Sequence, residues 1–184
     1  PLYLHGSMRR IDPKAYPLKS LHQNLLSTVA PRPIAFASTL SQEGIVNLSP
    51  FSFFNAFGSN PPIIAFSPAR RGRDNTTKDT YENIRTTEEV VINVVNYPIV
   101  EQSVVASTEY PETHDEFEKA GFTKVEAETV KPYRVAESPV HLECRLRDLI
   151  NYAEVNGAAN IAICEVQLMH IAESAYGNGE YPDP

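Results

Sequence analysis

The chain has little cysteine, no basic surplus and no long apolar run, and each lack removes a class of function. Its two cysteines, Cys144 and Cys164, lie far apart in apolar, strand-like runs, and neither has a second Cys or a His at metal-ligand spacing. Buried thiols are expected there, not a zinc site. A net charge of -7 and a pI near 5.2 weigh against a nucleic-acid partner, because phosphate contacts draw on a basic excess. No stretch approaches the roughly 20 apolar residues that cross a bilayer, and no signal-peptide core precedes the first polar residues; a cytoplasmic protein without a membrane partner is expected. Also missing are a G-x-G-x-x-G after a strand, a P-loop lysine, a G-x-S-x-G elbow and an H-E-x-x-H pair. A Rossmann nucleotide site, hydrolase chemistry and zinc catalysis therefore have no support.

What is present suits one well-buried core: 184 residues, 42% hydrophobic and 21% charged. Residues 8–184 read as a single domain, and residues 1–7 as the remnant of a cleavable tag. Leu18, Leu21, His22, Leu25 and Leu26 repeat at helical spacing behind Pro17, which predicts a short amphipathic helix. The centre of interest follows. Ile34, Phe36 and Ser38 alternate with Ala35, Ala37 and Thr39, the period of a strand that Pro33 can only begin. Ser41 to Gly44 reads as a turn, Ile45 to Leu48 as the returning strand of a hairpin, and Pro50 as the end of the pairing. Phe51-Ser52-Phe53-Phe54-Asn55 then mixes rings with hydroxyl and amide groups, a lining suited to a ring-shaped ligand with polar edges. Phe53 and Phe54 fit a plain core role equally well.

Further on, Gly58 to Pro62 reads as a breaker cluster and Ile63 to Ser67 as a strand. The loop from Ala69 to Thr77, with Arg70, Arg71 and Arg73, has no hydrophobic pattern and is expected to be exposed and mobile. Spacing turns helical at Tyr81, Ile84 and Arg85, with Thr76 or Thr77 as N-cap. A helix amino end offers unpaired N–H groups to an anion, and here Lys78, Asp79 and Thr80 surround it. The segment either caps a helix or holds a phosphate. Val90–Val95 predicts a buried strand, residues 99–107 a helix, and residues 115–121 a short helix with a glycine stop. His114, just before it, is the histidine best placed to meet a ligand, or else an exposed loop residue. Val140, Leu142, Cys144 and Leu146 alternate with His141, Glu143, Arg145 and Arg147, which predicts a half-buried strand with the polar set outward. Asn160–His170 reads as a central strand. At least six mostly antiparallel strands and two or three small helices predict a mainly β fold, a Greek-key antiparallel barrel that is closed or split.

Arg32-Pro-Ile-Ala-Phe-Ala-Ser-Thr39, Asn47-Leu-Ser-Pro-Phe-Ser-Phe-Phe-Asn55, Asn60-Pro-Pro-Ile-Ile-Ala-Phe-Ser67, Lys78-Asp-Thr-Tyr-Glu-Asn-Ile84 and Glu137-Ser-Pro-Val-His-Leu-Glu-Cys144 occur in the order seen in the flavin reductase-like family. From about Leu18 to His170 the chain resembles that family, whose fold is an FMN-binding split barrel. The resemblance implies a homodimer with FMN at the subunit interface and reduction of flavin by NADH or NADPH, with hydride passing to N5. A flavoredoxin-like electron carrier and a non-catalytic flavin-binding module are the other roles open to such a fold. Under this reading Lys78, the first-turn amides of the helix, Asp79, Thr80, Ser38 and Thr39 hold the phosphate. Phe51, Ser52, Phe53, Phe54 and Asn55 meet the ring, Ser49 and Pro50 shape the turn, and Asn47 and Arg32 assist. No acid–base residue is demanded; His114 or Arg134 could cover the open flavin face. Cys164 departs from the family, standing where a glycine is expected.

Overall fold

The computed structural model describes residues 8–108 and 115–182. Residues 1–7 and the candidate His114 lie outside them. The chain divides into two compact units, Pro1–Pro31 and Arg32–Pro184. In the first, α1 (Leu18–Thr28) starts directly after Pro17, as the spacing predicts. No residue of α1 is buried, and Leu18 and Leu25 remain about half exposed.

The second unit begins with the hairpin β1 (Ala35–Leu40) and β2 (Val46–Phe51), followed by β3 (Phe54–Ser59) and β4 (Pro62–Phe66). Helix α2 (Asp79–Thr87) leads to β5 (Glu89–Val94), and then come α3 (Val100–Ala106), α4 (Glu116–Ala120) and the two-residue strands β6 (Lys124–Val125) and β7 (Arg134–Val135). The long strands β8 (Val140–Asn151) and β9 (Asn160–Ile171) complete it. The main sheet has seven strands in the order β2-β1-β5-β8-β9-β4-β3, all neighbours antiparallel.

This order dictates a barrel. Strands β2 and β3 stand at its opposite ends, yet only Ser52 and Phe53 separate them in sequence. Three Cα steps span at most about 11 Å, whereas seven strands laid flat would hold their outer members about 29 Å apart. The sheet must roll until its edges meet, and the Phe51 and Phe66 rings touch across the seam with centroids 5.5 Å apart. Ala35, Ala37, Ile64, Phe66, Val90 and Ile92 belong to the core this encloses, together with both cysteines. Burial pushes the Cys164 thiol up to about 12 and that of Cys144 well above its ordinary value. A second core on the other face of β1 and β2 joins Phe36 and Leu48 to Ile99, Ala106 and Phe117 from the segment carrying α3 and α4.

Three expectations are corrected. Pro50 does not end the hairpin: Phe36 pairs with Pro50 and Ala35 with Phe51. Strand β2 ends the sheet order, so a residue without an N–H can sit in it. The Gly58–Pro62 cluster is no simple break either, because β3 runs through Ser59 and turns at the cis Asn60-Pro61 bond straight into β4. Its register shifts between Ala56 and Gly58, and every residue after Phe54 is exposed, so no buried face writes a period into the sequence. Finally, Glu143 is not outward: it is fully buried, as is its neighbour Cys144, where the β8–β9 pairing shifts register.

Candidate functional site

Helix α2 is built with an open amino end. Lys78 occupies its N-cap in extended conformation, and no side chain caps the helix. Thr77, an expected cap, instead donates its hydroxyl to Glu82 Oε1 at 2.7 Å. The N–H groups of Tyr81 and Glu82 return to the Lys78 carbonyl, while those of Asp79 and Thr80 meet no acceptor among the described residues. Lys78 Nζ lies 5.0 Å from the centre of the Phe51 ring. Arg71 donates to the Thr77 carbonyl, to Thr76 Oγ1 at 3.3 Å and to Asp79 Oδ2 at 3.3 Å. The loop expected to be mobile is therefore tied down. Arg70 Nε donates to the carbonyl and side chain of Asn75, which in turn reaches the Glu154 carbonyl at 2.8 Å.

The register Thr39↔Asn47, Ala37↔Ser49 and Ala35↔Phe51 sets Asn47, Ser49 and Phe51 on one face of β2. Asn47 and Ser49 line a cleft of about 90 Å³ with Arg71, Lys78, Asp79, Thr80, Ala106, Ser107, Thr108 and Glu116. That is room for a few waters or a small anion. Asn47 Nδ2 donates to Thr80 Oγ1 at 2.8 Å and to Thr39 Oγ1 at 3.3 Å, and Asn83 Nδ2 also reaches Thr39 Oγ1 at 3.1 Å. These bonds fix the start of α2 against the hairpin.

Five predicted site residues, Asn47, Ser49, Lys78, Asp79 and Thr80, are thus brought together. Ser38 and Thr39 are not at the cleft surface. Both are fully buried; Thr39 accepts from two amides, and Ser38 Oγ has no partner among the described residues. Their alternation marks a strand but does not announce that α2 covers Thr39 on one face, through Asn83, while Ser38 is buried on the other. Pro50 lies on the opposite face with Phe36. Phe51 is a core ring, Phe54 packs against the same core, and Phe53 is partly exposed. Ser52 Oγ accepts from Arg32 Nε at 3.4 Å, and Asn55 Oδ1 accepts the Ala56 N–H at 2.8 Å. None of Ser52–Asn55 lines the cleft; they continue from Ser49, about 10 Å further per three extended residues.

The sequence did not single out Arg71, Ser107 or Glu116 for this place. For Arg71 a signal existed in an arginine loop leading into Lys78. For Glu116 none did, since its position depends on α4 packing against β2. Glu116 Oε2 accepts the Leu48 N–H at 3.2 Å, and burial above all, with Asp115 and Asp79 nearby, raises its carboxyl above the ordinary range.

A second polar cluster shares no residue with the cleft. The Glu143 carboxylate accepts the N–H groups of Glu128 and Thr129, the Thr129 hydroxyl at 2.6 Å, and His170 Nε2 at 2.7 Å, with Arg134 Nε at 3.9 Å. Burial opposes its charge, but these donors outweigh burial and hold it down at about 2. Burial likewise lowers the neighbouring His141 below its usual value; its Nε2 lies 2.8 Å from the Val135 carbonyl, so the neutral ring donates there. This network pins the segment before β7 onto β8.

Comparison with known proteins places these features in a family. An uncharacterized protein of Aquifex aeolicus is 42% identical over 69% of this chain and 64% of its own length. Nitrilotriacetate monooxygenase component B from Bacillus cereus is similar in structure, with a TM-score of 0.85, 29% identity and coverage of 94% of this chain and 86% of that one. The Pseudomonas fluorescens 2-nitrobenzoate 2-nitroreductase NbaA gives a TM-score of 0.80 at 26% identity, over 92% and 80% of the two chains. The family model described as "Flavin reductase like domain" matches residues 27–183, a span that holds the whole barrel and the cleft, and the chain belongs to that family.

Proposed function

We propose that this protein binds FMN along β2, with the phosphate in the cleft and the ring beside Ser52–Asn55, and reduces it with NADH or NADPH. The observation that carries the reading is the uncapped amino end of α2, flanked by Lys78 and Arg71 and facing the polar side of β2. The donor set fits a phosphate: two cations, two amides without an acceptor among the described residues, and the hydroxyl of Ser49. Membership of a flavin reductase family, and likeness to a monooxygenase component and a nitroreductase, support a flavin-linked oxidoreductase.

Bound FMN would supply the hydride-accepting ring. The chain's part is to hold and orient. Lys78 and the first-turn amides fix the phosphate, the Asn47–Thr80–Thr39 bonds keep the helix end in place, and the β2–β3 connection presents backbone groups and the Phe53 ring along the seam. The purified protein is expected to oxidise NADH or NADPH once FMN is added, followed at the nicotinamide absorbance; no turnover with either donor would refute the enzymatic reading.

We infer also that the working form is a homodimer covering β3. This strand ends the sheet order, has no strand paired to its outer edge among the described residues, and leaves Phe57 71% exposed. Phe57→Asp is expected to weaken self-association tenfold or more, about 1.4 kcal/mol, in sedimentation velocity. A wild-type protein that stays monomeric with FMN bound would overturn this.

A further inference from the structure

Two carboxylates line the cleft, and they are held differently. Asp79 is paired with Arg71 at 3.3 Å. Glu116 makes no ion pair among the described residues; it accepts the Leu48 N–H at 3.2 Å. Leu48 lies between Asn47 and Ser49 on β2, and its N–H is turned away from β1 toward α4. Glu116 therefore occupies a backbone donor in the wall of a cleft whose other donors face an anion. It also lines an adjoining hollow of about 180 Å³ with Glu43, Asp79 and Glu82, so its charge stands where the cationic lining gives way to an acidic one.

We infer that Glu116 is an internal rival of the incoming anion. Its carboxylate takes up the Leu48 donor and sets a negative charge beside the place a flavin phosphate would fill, and so it limits the preference for phosphorylated over unphosphorylated flavin. This rests on the reading that the cleft takes the phosphate. Lys78 and Arg71 attract the phosphate; Glu116, held in place by α4, opposes it. The balance between them, more than the cations alone, determines discrimination.

The test is flavin titration of the full chain at constant ionic strength, with FMN and riboflavin as probes, using the wild type, Glu116→Gln, Glu116→Ala and Lys78→Ala. Glu116→Gln keeps an acceptor for the Leu48 N–H and removes the charge. It is expected to tighten FMN on the order of fivefold, the size of a like-charge effect across several ångströms of a half-wet cleft, and to leave riboflavin unchanged. Glu116→Ala shifts the FMN-to-riboflavin ratio in the same direction, and Glu116→Gln carries the test if the alanine variant does not fold. If the ratio falls in Lys78→Ala but is unchanged or lower in Glu116→Gln, Glu116 is not a rival and the inference is overturned. If Lys78→Ala leaves the ratio unchanged as well, the phosphate placement itself is wrong, and the inference goes with it.

Discussion

Glu143→Ala is expected to destabilise the fold by about 3–5 kcal/mol, the cost of removing one member of a buried, charge-assisted network. The side chain is fully buried and accepts from Glu128, Thr129 and His170. Its removal leaves those donors without their acceptor, which lowers Tm by on the order of 10 °C in a chain of this size. The pH dependence follows from the depressed carboxyl, at about 2 against an ordinary 4.5. The unfolded chain binds this proton more readily, so the contribution is fully present above 4.5 and is lost as pH falls through the lower value. A shift of that size corresponds to about 3 kcal/mol. Urea titrations of wild type and Glu143→Gln between neutral pH and pH 2 should converge at the acid end. A difference below about 1 kcal/mol at neutral pH, within the range of an ordinary hydrogen bond, would mean that the segment before β7 is held by other contacts.

Lys78→Ala is expected to weaken FMN binding by about 1.5–3 kcal/mol, the range for hydrogen bonds to a charged group, which is roughly tenfold to a hundredfold in Kd. Riboflavin, lacking the phosphate, should bind as before. Lys78→Arg should recover part of the affinity, since the charge is kept while the donor geometry changes. Fluorescence quenching titrations separate these cases, and an FMN affinity unchanged in Lys78→Ala would place the phosphate elsewhere.

Much of this arrangement could be read from residue order. The hairpin of β1 and β2 announces itself by alternation and a glycine turn, and Gly44 does take a positive φ of 85°. The helix at Asp79 follows from spacing, and α4 from its acidic start and Gly121 stop. What stayed hidden depends on contacts between distant segments. Strand β3 is exposed along nearly its whole length, so neither face imposes a period. Glu143 shares its sheet face with the exposed Arg145 and Arg147; only the segment at Glu128–Thr129 folding over it makes it interior. Ser38 and Thr39 look like hydroxyls ready for a ligand until tertiary packing buries both, Thr39 under α2 and Ser38 on the opposite face of β1. In each case local pattern gave the element correctly or left it blank, and tertiary cover decided the role.

The two-residue step from β2 to β3 has a consequence for how the protein reaches its native state. The hairpins β1–β2 and β3–β4 follow each other in the chain, yet the route between them through the ladder runs by β5, β8 and β9. They cannot simply zip together. Each must wait as a separate piece until the long β8–β9 ribbon docks between β5 and β4, so closure depends on contacts of high sequence separation. Such barrels fold on the millisecond-to-second scale, not in microseconds. Substitutions that loosen the β8–β9 ribbon should therefore slow folding, whereas changes at Ser52 and Phe53 should act mainly on how fast the closed seam reopens.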